Sequence, residues 1–249
     1  MRIDVLGISF DEFTLDEAVA KAIDIIDNSD LSTYVVTPNP EIVWMARRDE
    51  ALRAALNAAG MVLPDGVGIV IGARILGTPL RSGRVPGIDF ADSLFARISQ
   101  FAGSVYLLGA KPGVAEQAGE NLAKKHPGLV IAGAADGYYK DDESLEDIIE
   151  DINKTQPDVL LVCLGSPNQE FWMQTNLERL NVKLCAGLGG SLDVFAGNVR
   201  RAPIIFRKLG IEWLFRLCNE PRRIKRMIKI PLFVMAAIKT RMHSLIRNS

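Results

Sequence analysis

Asp65 is the residue whose type and position best suit acid–base chemistry. It lies in Pro64-Asp65-Gly66, directly after the apolar run 61–63, which predicts a short strand that ends at a carboxylate. Asp-Gly is commonest as a plain turn, so the local sequence alone favours a structural role. The chain has only two histidines, however, and a carboxylate in a partly desolvated pocket can have its pKa raised and act as a general base. We therefore take Asp65 as the candidate base.

Polar loops follow two further predicted strands. Thr37 and Asn39 come directly after the strand 33–36, between prolines that stiffen the loop. Gln169 follows the apolar strand 159–164, within a segment from Gly165 to Glu170 where a helix begins. Backbone N–H groups at a helix start attract phosphate, and a glycine lets a ligand approach closely. An ordinary strand-to-helix turn explains that segment equally well.

A glycine cluster follows the predicted strand 183–186. Gly187, Gly189 and Gly190 permit positive φ angles and close backbone approach, and Asp193 lies just downstream. The spacing is neither that of a dinucleotide-binding loop nor that of a Walker A loop, which disfavours a nicotinamide site. Asp193 is able to pair with a base or a ribose, although a first-turn helix acid is the commoner role at such a position.

Arg84 lies in a Gly/Pro-rich loop that spans residues 81–87. An arginine in such a loop is able to clamp a diphosphate through two N–H groups, and a solvated surface side chain is the plainer alternative. No two aspartates are separated by a single residue, and three cysteines with two histidines form no ligand pattern by spacing. We therefore expect neither a metal ion nor another cofactor.

The elements that must position these residues alternate between strand and helix. This pattern predicts an α/β fold, a Rossmann-like and mostly parallel sheet flanked by helices, and a hydrophobic fraction of 48 % supports a packed core. The predicted strands are 3–8, 33–36, 61–63, 105–108, 129–132, 159–164 and 183–186. The predicted helices are 14–26, 41–47, 89–101, 114–125, 144–154, 171–180 and 204–227. Polar turns at carboxyl ends of strands are where open α/β sheets bind ligands.

The last fifty residues differ in charge from the rest of the chain. Residues 200–249 carry 13 Lys and Arg against two acids, so their net charge is +11 and that of the first 199 residues is −12. We predict a catalytic α/β domain over 1–200 and a helical, membrane-associating appendage over 201–249. Pro231 is expected to end the appendage's helical pattern, with a short tail after it.

Apolar side chains interleave with this basic segment, which favours an anionic membrane surface over nucleic acid as its partner. Packing on the main domain is the first alternative, and a homo-oligomer contact is the second. No N-terminal apolar run suits a signal peptide, and the run 232–238 is far below the roughly 20 residues of a spanning helix. We expect a cytoplasmic protein, peripheral on the inner face of the cell membrane.

Eight short motifs occur along the chain, and the order and spacing to which they belong extend from about residue 3 to about residue 230. They are Thr37-Pro38-Asn39-Pro40-Glu41, Pro64-Asp65-Gly66-x-Gly68, Arg84-Val85-Pro86-Gly87-x-Asp89, Tyr106-Leu107-Leu108-Gly109, Gly165-x-Pro167-x-Gln169-Glu170-x-Trp172, Gly187-x-Gly189-Gly190-x-x-Asp193, Arg201-Ala202-Pro203 and Gly210-x-Glu212-Trp213-Leu214-x-Arg216. In their order and spacing the chain resembles the WecG/TagA/CpsF family of glycosyltransferases. Each segment alone is weak, and together they are specific.

The resemblance implies a hexosyltransferase that moves N-acetylmannosamine, or a related sugar, from a UDP-sugar donor to undecaprenyl-diphosphate-linked N-acetylglucosamine. It implies an early step of wall teichoic acid or surface polysaccharide synthesis, with inversion of configuration and no required metal. Two alternatives from other classes stay open at the sequence level. They are an NAD(P)-dependent oxidoreductase on a Rossmann-like sheet and a nucleic-acid-binding module that uses the basic tail.

The resemblance also suggests roles for individual residues. Asp65 resembles the base that deprotonates the acceptor hydroxyl. Contacts to the sugar and diphosphate are implied for Thr37, Asn39 and Gln169, and Arg84 resembles a loop residue near the diphosphate. The nucleotide pocket is implied for Gly187, Gly189, Gly190 and Asp193. The appendage is expected to dock on the membrane and to bring Arg216, Arg222 and Arg223 to the leaving group.

Overall fold

The computed structural model describes residues 1–139, 141–208, 210, 212–219 and 227–247. The chain folds into two compact units, each assembled from separate stretches of sequence. Unit 1 comprises Met1–Thr14, Thr37–Pro86 and Arg201–Ser249, and unit 2 comprises Leu15–Val36 and Gly87–Arg200. The predicted division into 1–200 and 201–249 stays a prediction.

The elements are numbered in chain order. The strands are β1 (Arg2–Val5), β2 (Ile8–Asp11), β3 (Thr33–Val36), β4 (Met61–Val62), β5 (Ser104–Gly109), β6 (Val130–Ala135), β7 (Val159–Cys163) and β8 (Leu184–Gly187). The helices are α1 (Leu15–Asn28), α2 (Pro40–Ala46), α3 (Glu50–Ala58), α4 (Val67–Leu76), α5 (Gly87–Ile98), α6 (Val114–Lys125), α7 (Asp142–Thr155), α8 (Asn168–Asn176), α9 (Ser191–Phe195), α10 (Ile204–Lys208), α11 (Glu212–Asn219) and α12 (Lys229–Arg247).

Unit 2 contains five parallel strands in the order β3-β8-β7-β5-β6. Strands β7 and β8 are buried along their whole length because helices cover the sheet, and this explains their uninterrupted apolar sequences. The loops after β7 and β8 leave the same edge of the sheet, since the two strands are parallel neighbours. The predicted α/β fold with a parallel sheet and flanking helices is confirmed.

Unit 1 begins with a hairpin where the sequence predicts one strand. Strands β1 and β2 pair antiparallel, and Leu6 and Gly7 between them have φ angles of 57° and 92°. Such a two-residue turn needs positive φ at both positions, which Leu-Gly signals only weakly, so the single strand 3–8 was a wrong prediction. Helices α3 and α4 also have no counterpart among the predicted elements.

Helix α12 replaces the short tail that was expected after Pro231, so that prediction was wrong. Pro231 is the third residue of a 19-residue helix, where its missing N–H has no intrahelical partner to lose. Phe233 is fully buried in the contact between α12 and α4. A Cβ atom at Gly72 would lie 2.5 Å from its ring, so this close approach requires glycine in α4.

Helix α12 also contacts α2, and Lys229 Nζ lies 3.0 Å from Glu41 Oε1 at that junction. Arg241 donates a hydrogen bond to the carbonyl of Leu76, at the carboxyl end of α4. The appendage is therefore helical in its described part, and α12 is packed against the rest of unit 1. None of the helices in the described part of the chain combines the length and apolar character that a membrane span requires.

Candidate active site

Three loops of unit 1 carry predicted site residues, and backbone hydrogen bonds join them. The N–H of Asp65 donates to the carbonyl of Pro38 at 3.3 Å, which links the candidate base to the loop of Thr37 and Asn39. The N–H of Val85 donates to the carbonyl of Pro64 at 2.8 Å, which links the Arg84 loop to the same segment. The structure thus brings the loops of Thr37, Asn39, Asp65 and Arg84 together.

Asp65 lies between β4 and α4, and both sides of it are fixed. Gly66 has a φ angle of 90°, a conformation that suits glycine, and α4 begins at the next residue. On the other side, the N–H of Val62 in β4 donates to Asp11 Oδ2 at 2.8 Å. Asp11 Oδ1 in turn accepts a hydrogen bond from Arg2 Nε at 3.0 Å.

Arg2 extends this support, because its guanidinium also donates to the carbonyls of Ala59 and Gly60. Arg2 and Asp11 are residues that the sequence analysis missed. Their signal was a carboxylate at the end of β2, with an arginine at the start of β1 as its cross-strand partner.

Asn39 caps α2, which restricts how it can meet a ligand. Its Oδ1 accepts the N–H groups of Glu41 at 2.9 Å and Ile42 at 3.1 Å, so the side-chain oxygen is committed to the helix start. A ligand at this position would therefore meet the amide NH₂ group. Thr37, two residues earlier, is buried.

Arg84 is paired and is no solvated surface arginine. Both Nη1 and Nη2 donate to Glu212 Oε1 at 3.1 Å, and the two side chains are mostly buried. Glu212 is one of the two acids in the basic segment and opens α11. The pair thus joins the Arg84 loop to the appendage within unit 1.

Unit 2 holds the other group of predicted residues. Gln169, at the start of α8, accepts the N–H of Gly189 with its Oε1 at 2.8 Å, so the loops after β7 and β8 are joined. A Cβ atom at Gly187 would lie 2.6 Å from the Met173 methyl group and 3.2 Å from Gln169 Nε2. A side chain at this position would displace the Met173 methyl group and crowd the Gln169 amide, so glycine leaves room for both.

Glu170 is the buried carboxyl beside this junction, and the sequence analysis assigned it no role. Its Oε1 accepts a hydrogen bond from Gln169 Nε2 at 3.0 Å. Burial raises the pKa of Glu170, and the hydrogen bond from Gln169 opposes that rise. Asp193 lies in the first turn of α9, where an acid interacts favourably with the helix start.

The remaining predicted residues belong to the appendage. Arg222 and Arg223 lie outside the described residues, and Arg216 lies in α11 with its side chain outside the description. The described residues contain no group of three or more His, Cys, Asp or Glu that could hold a metal ion. Metal independence and the roles of the individual site residues stay predictions.

Polar loops at the carboxyl ends of buried parallel strands are typical of α/β enzymes, whose open sheets bind ligands at that edge. Sequence comparison specifies this class further. Residues 3–246 match the Glycosyl transferase WecG/TagA/CpsF family, and the chain belongs to that family. It is therefore a glycosyltransferase. The alternative of an NAD(P)-dependent oxidoreductase, which is compatible with a parallel sheet, is thereby rejected.

Two curated relatives bear the same name, N-acetylglucosaminyldiphosphoundecaprenol N-acetyl-beta-D-mannosaminyltransferase. The protein of Bacillus spizizenii strain W23 is 39 % identical over 206 residues, which cover 83 % of this chain and 79 % of the relative. The protein of Staphylococcus aureus strain MRSA252 is 35 % identical over 241 residues, which cover 96 % of this chain and 93 % of the relative.

Proposed function

We propose that this enzyme transfers N-acetylmannosamine from a UDP-linked donor to undecaprenyl-diphosphate-linked N-acetylglucosamine. The observation that carries the proposal is the near full-length similarity to relatives named for this sugar and this acceptor. Such a product belongs to wall teichoic acid or surface polysaccharide synthesis. The reaction proceeds without a metal ion, so protein groups neutralise the leaving diphosphate.

Asp65 is the base of the proposed reaction. It takes the proton from the acceptor hydroxyl while that oxygen forms a bond to the anomeric carbon of the donor. The bond from this carbon to the diphosphate breaks on the opposite face, and its electron pair leaves with UDP, which inverts the configuration. The backbone hydrogen bonds that the N–H of Asp65 donates to Pro38 and the N–H of Val85 donates to Pro64 support the role, because they hold the carboxylate on a fixed loop.

The donor is bound by two sets of groups in this proposal. In unit 2, the loop of Gly187, Gly189 and Gly190 holds the nucleotide with Asp193, and Gln169 contacts the sugar and diphosphate. In unit 1, Thr37 and Asn39 are also assigned to sugar and diphosphate contacts. Arg84 serves the diphosphate, and its pairing with Glu212 means that phosphate oxygens compete with a carboxylate for the same guanidinium. The arginines of the appendage, Arg216, Arg222 and Arg223, complete the neutralisation.

The appendage binds the anionic inner face of the cell membrane in this proposal, close to the lipid-linked acceptor. Helix α12 supports this role because it has a second apolar side, opposite to the buried Phe233. The exposed residues of that side are Met235, Ile238, Met242, Leu245 and Ile246. They recur at helical spacing beside Lys239 and Arg241, the pattern of a helix that lies in the plane of a membrane surface.

The test is UDP release from UDP-N-acetylmannosamine, with and without a short-chain lipid-diphosphate-N-acetylglucosamine acceptor. Acceptor-dependent release by the wild type, reduced at least about a hundredfold in Asp65→Asn, is the expected result. Asp16→Asn is the matched control, since Asp16 is exposed in the first turn of α1 and should keep full activity. Equal rates for wild type and Asp65→Asn would remove Asp65 as the base. No release with this donor would refute the assigned sugar.

A further inference from the structure

Gln169 and Glu170 form a buried hydrogen-bonded chain that ends on the glycine loop. The Gly189 N–H donates to Gln169 Oε1, and Gln169 Nε2 donates to Glu170 Oε1. Gln169 is 3 % exposed and Glu170 is 1 % exposed, so the bond between their side chains is shielded from water, while the bond to Gly189 is partly buried.

While Glu170 is ionised, its carboxylate and the Gly189 N–H allow the Gln169 amide only one orientation. An ionised carboxylate accepts hydrogen bonds and cannot donate, whereas a backbone N–H donates and cannot accept. A flipped amide would place two acceptors together at Glu170 and two donors together at Gly189. The bond to Glu170 is buried and the bond to Gly189 is partly buried, so a mismatch would cost the desolvation of unpaired polar groups, above all at Glu170.

Burial of the Glu170 carboxyl lowers the stability of the folded protein. Its second oxygen, Oε2, is buried and makes no hydrogen bond of ordinary geometry within the described part of the chain, although the nearby Ser166 hydroxyl helps to oppose the rise in the pKa of this carboxyl. No ion pair found among the described side chains includes Glu170. An apolar side chain or a neutral amide of similar size would fill the same space at lower cost. A buried carboxyl kept under these conditions points to a role in the site.

We propose that Glu170 is a positioning residue of the donor site, which acts by fixing the amide of Gln169 and, through it, the loop of Gly187 and Gly189. The inference rests on the proposed function, in which this loop and Gln169 bind the UDP-sugar. With Oε1 held by Gly189 and one N–H held by Glu170, the amide presents its remaining N–H in a constant direction. A neutral amide at position 170 both donates and accepts, so it no longer excludes the flipped Gln169.

The test is a double-mutant cycle on UDP affinity, measured by calorimetry on the full chain. Glu170→Gln should weaken UDP binding roughly three- to tenfold, the effect of one misdirected hydrogen bond. In a Gln169→Met background, Glu170→Gln should change the affinity less than twofold, because the group through which Glu170 acts is then absent. Urea unfolding of each variant confirms that the protein is folded.

The possible results separate the two proposals. Wild-type binding of UDP with unchanged affinity in Glu170→Gln would overturn the role of Glu170 and leave the proposed function intact. An equal loss in both backgrounds would also overturn it, since Glu170 would then act independently of Gln169. Failure of the wild type to bind UDP would refute the UDP donor, and the donor-site role of Glu170 with it.

Discussion

The carboxyl group of Glu170 makes the stability of the protein depend on pH. Burial raises its pKa above the ordinary value of 4.5, so the folded chain holds the proton more tightly than the unfolded chain. The stability that this proton provides is complete below pH 4.5 and is lost as the pH rises through the folded-state pKa. Above that pKa, the folded protein carries a buried charge that the unfolded chain would expose to water.

We therefore predict that Glu170→Gln is more stable than the wild type at pH 8 and that this advantage shrinks toward pH 5. Each unit by which the pKa is raised contributes about 1.4 kcal/mol to the difference. Urea unfolding at several pH values measures it. Tyr34, whose pKa is raised to about 12 by burial and by the charge of Glu170, stays neutral over this range. A difference that is constant with pH would contradict the prediction.

Side-chain partners were the part of the site that the sequence could not predict. Asp65, Thr37 and Gln169 were chosen because they follow predicted strands, and each of them does follow a strand in the structure, while their roles stay predictions. The partner of Arg84 is Glu212, 128 residues away, and no local pattern signals such a pairing. Asn39 is recognisable as a helix cap only once the start of α2 is known.

The hairpin of β1 and β2 supports the candidate base from outside the loops. The Asp11 carboxylate accepts hydrogen bonds from the N–H of Val62 in β4 and from the guanidinium of Arg2. The same guanidinium also donates to a carbonyl that follows the end of α3. The carboxylate thus fixes the strand that leads to Asp65. A single strand was predicted here, so neither the pairing nor this support followed from the sequence.

Asp11→Ala should lower the free energy of unfolding by about 2–3 kcal/mol, because it leaves the buried N–H of Val62 and the Arg2 guanidinium without their acceptor. It should also lower the rate of UDP release, since the segment before Asp65 loses its support. Asp4→Ala is the control in the same hairpin, where an exposed carboxylate accepts the N–H of Gly7. Equal unfolding free energies for both variants would show that Asp11 supports nothing.

Helix α12 has one side for packing and one for a partner, and paired substitutions separate them. Phe233→Ala should destabilise the protein by about 3–5 kcal/mol, the usual cost of a large buried ring. It should also increase amide hydrogen exchange over 229–247, because α12 loses its anchor on α4. Met235 lies on the other side of α12 and is 56 % exposed, so Met235→Ala should change the free energy of unfolding by less than about 0.5 kcal/mol. Matching losses would mean that both sides of the helix are packed.

Pro231 explains why α12 was not predicted. Proline ends a helix when it follows several helical residues. The sequence prediction had Pro231 follow a continuous helix over 204–227, so it was expected to end that helix. The structure starts α12 at Lys229, so Pro231 lies in the first turn, where it is tolerated. The prediction failed because the start of a new helix at Lys229 was not recognised. The rule that proline breaks the interior of a helix still holds.

At the scale of the whole molecule, the alternation of strands and helices was sufficient to predict the α/β class. It was not sufficient to show that the chain passes between two units several times. Local patterns identify elements, whereas the grouping of residues 1–14 with 37–86 and 201–249 depends on contacts between distant segments. Their burial, as at Phe233 against Gly72, is visible only in the folded chain.

The charge asymmetry of the chain predicts how the intact protein meets a membrane. Full-length protein should bind vesicles that contain phosphatidylglycerol more tightly than vesicles of phosphatidylcholine alone, because each basic residue near an anionic surface contributes about 1 kcal/mol. Added salt should weaken this binding, since it screens exposed charges. Co-sedimentation measures both effects.

A surface substitution then decides whether the apolar side of α12 enters the lipid. Met242→Asp replaces a side chain that is 58 % exposed on that side, and it should reduce vesicle binding at least roughly tenfold through lost apolar burial and an added negative charge. Leu31→Asp is the matched control, because Leu31 is 79 % exposed in unit 2 and outside the basic segment. If Met242→Asp binds vesicles as the wild type does but sediments as a smaller oligomer, this side of α12 joins subunits. If RNA displaces the protein from vesicles while Met242→Asp has no effect, the basic charges alone determine the partner.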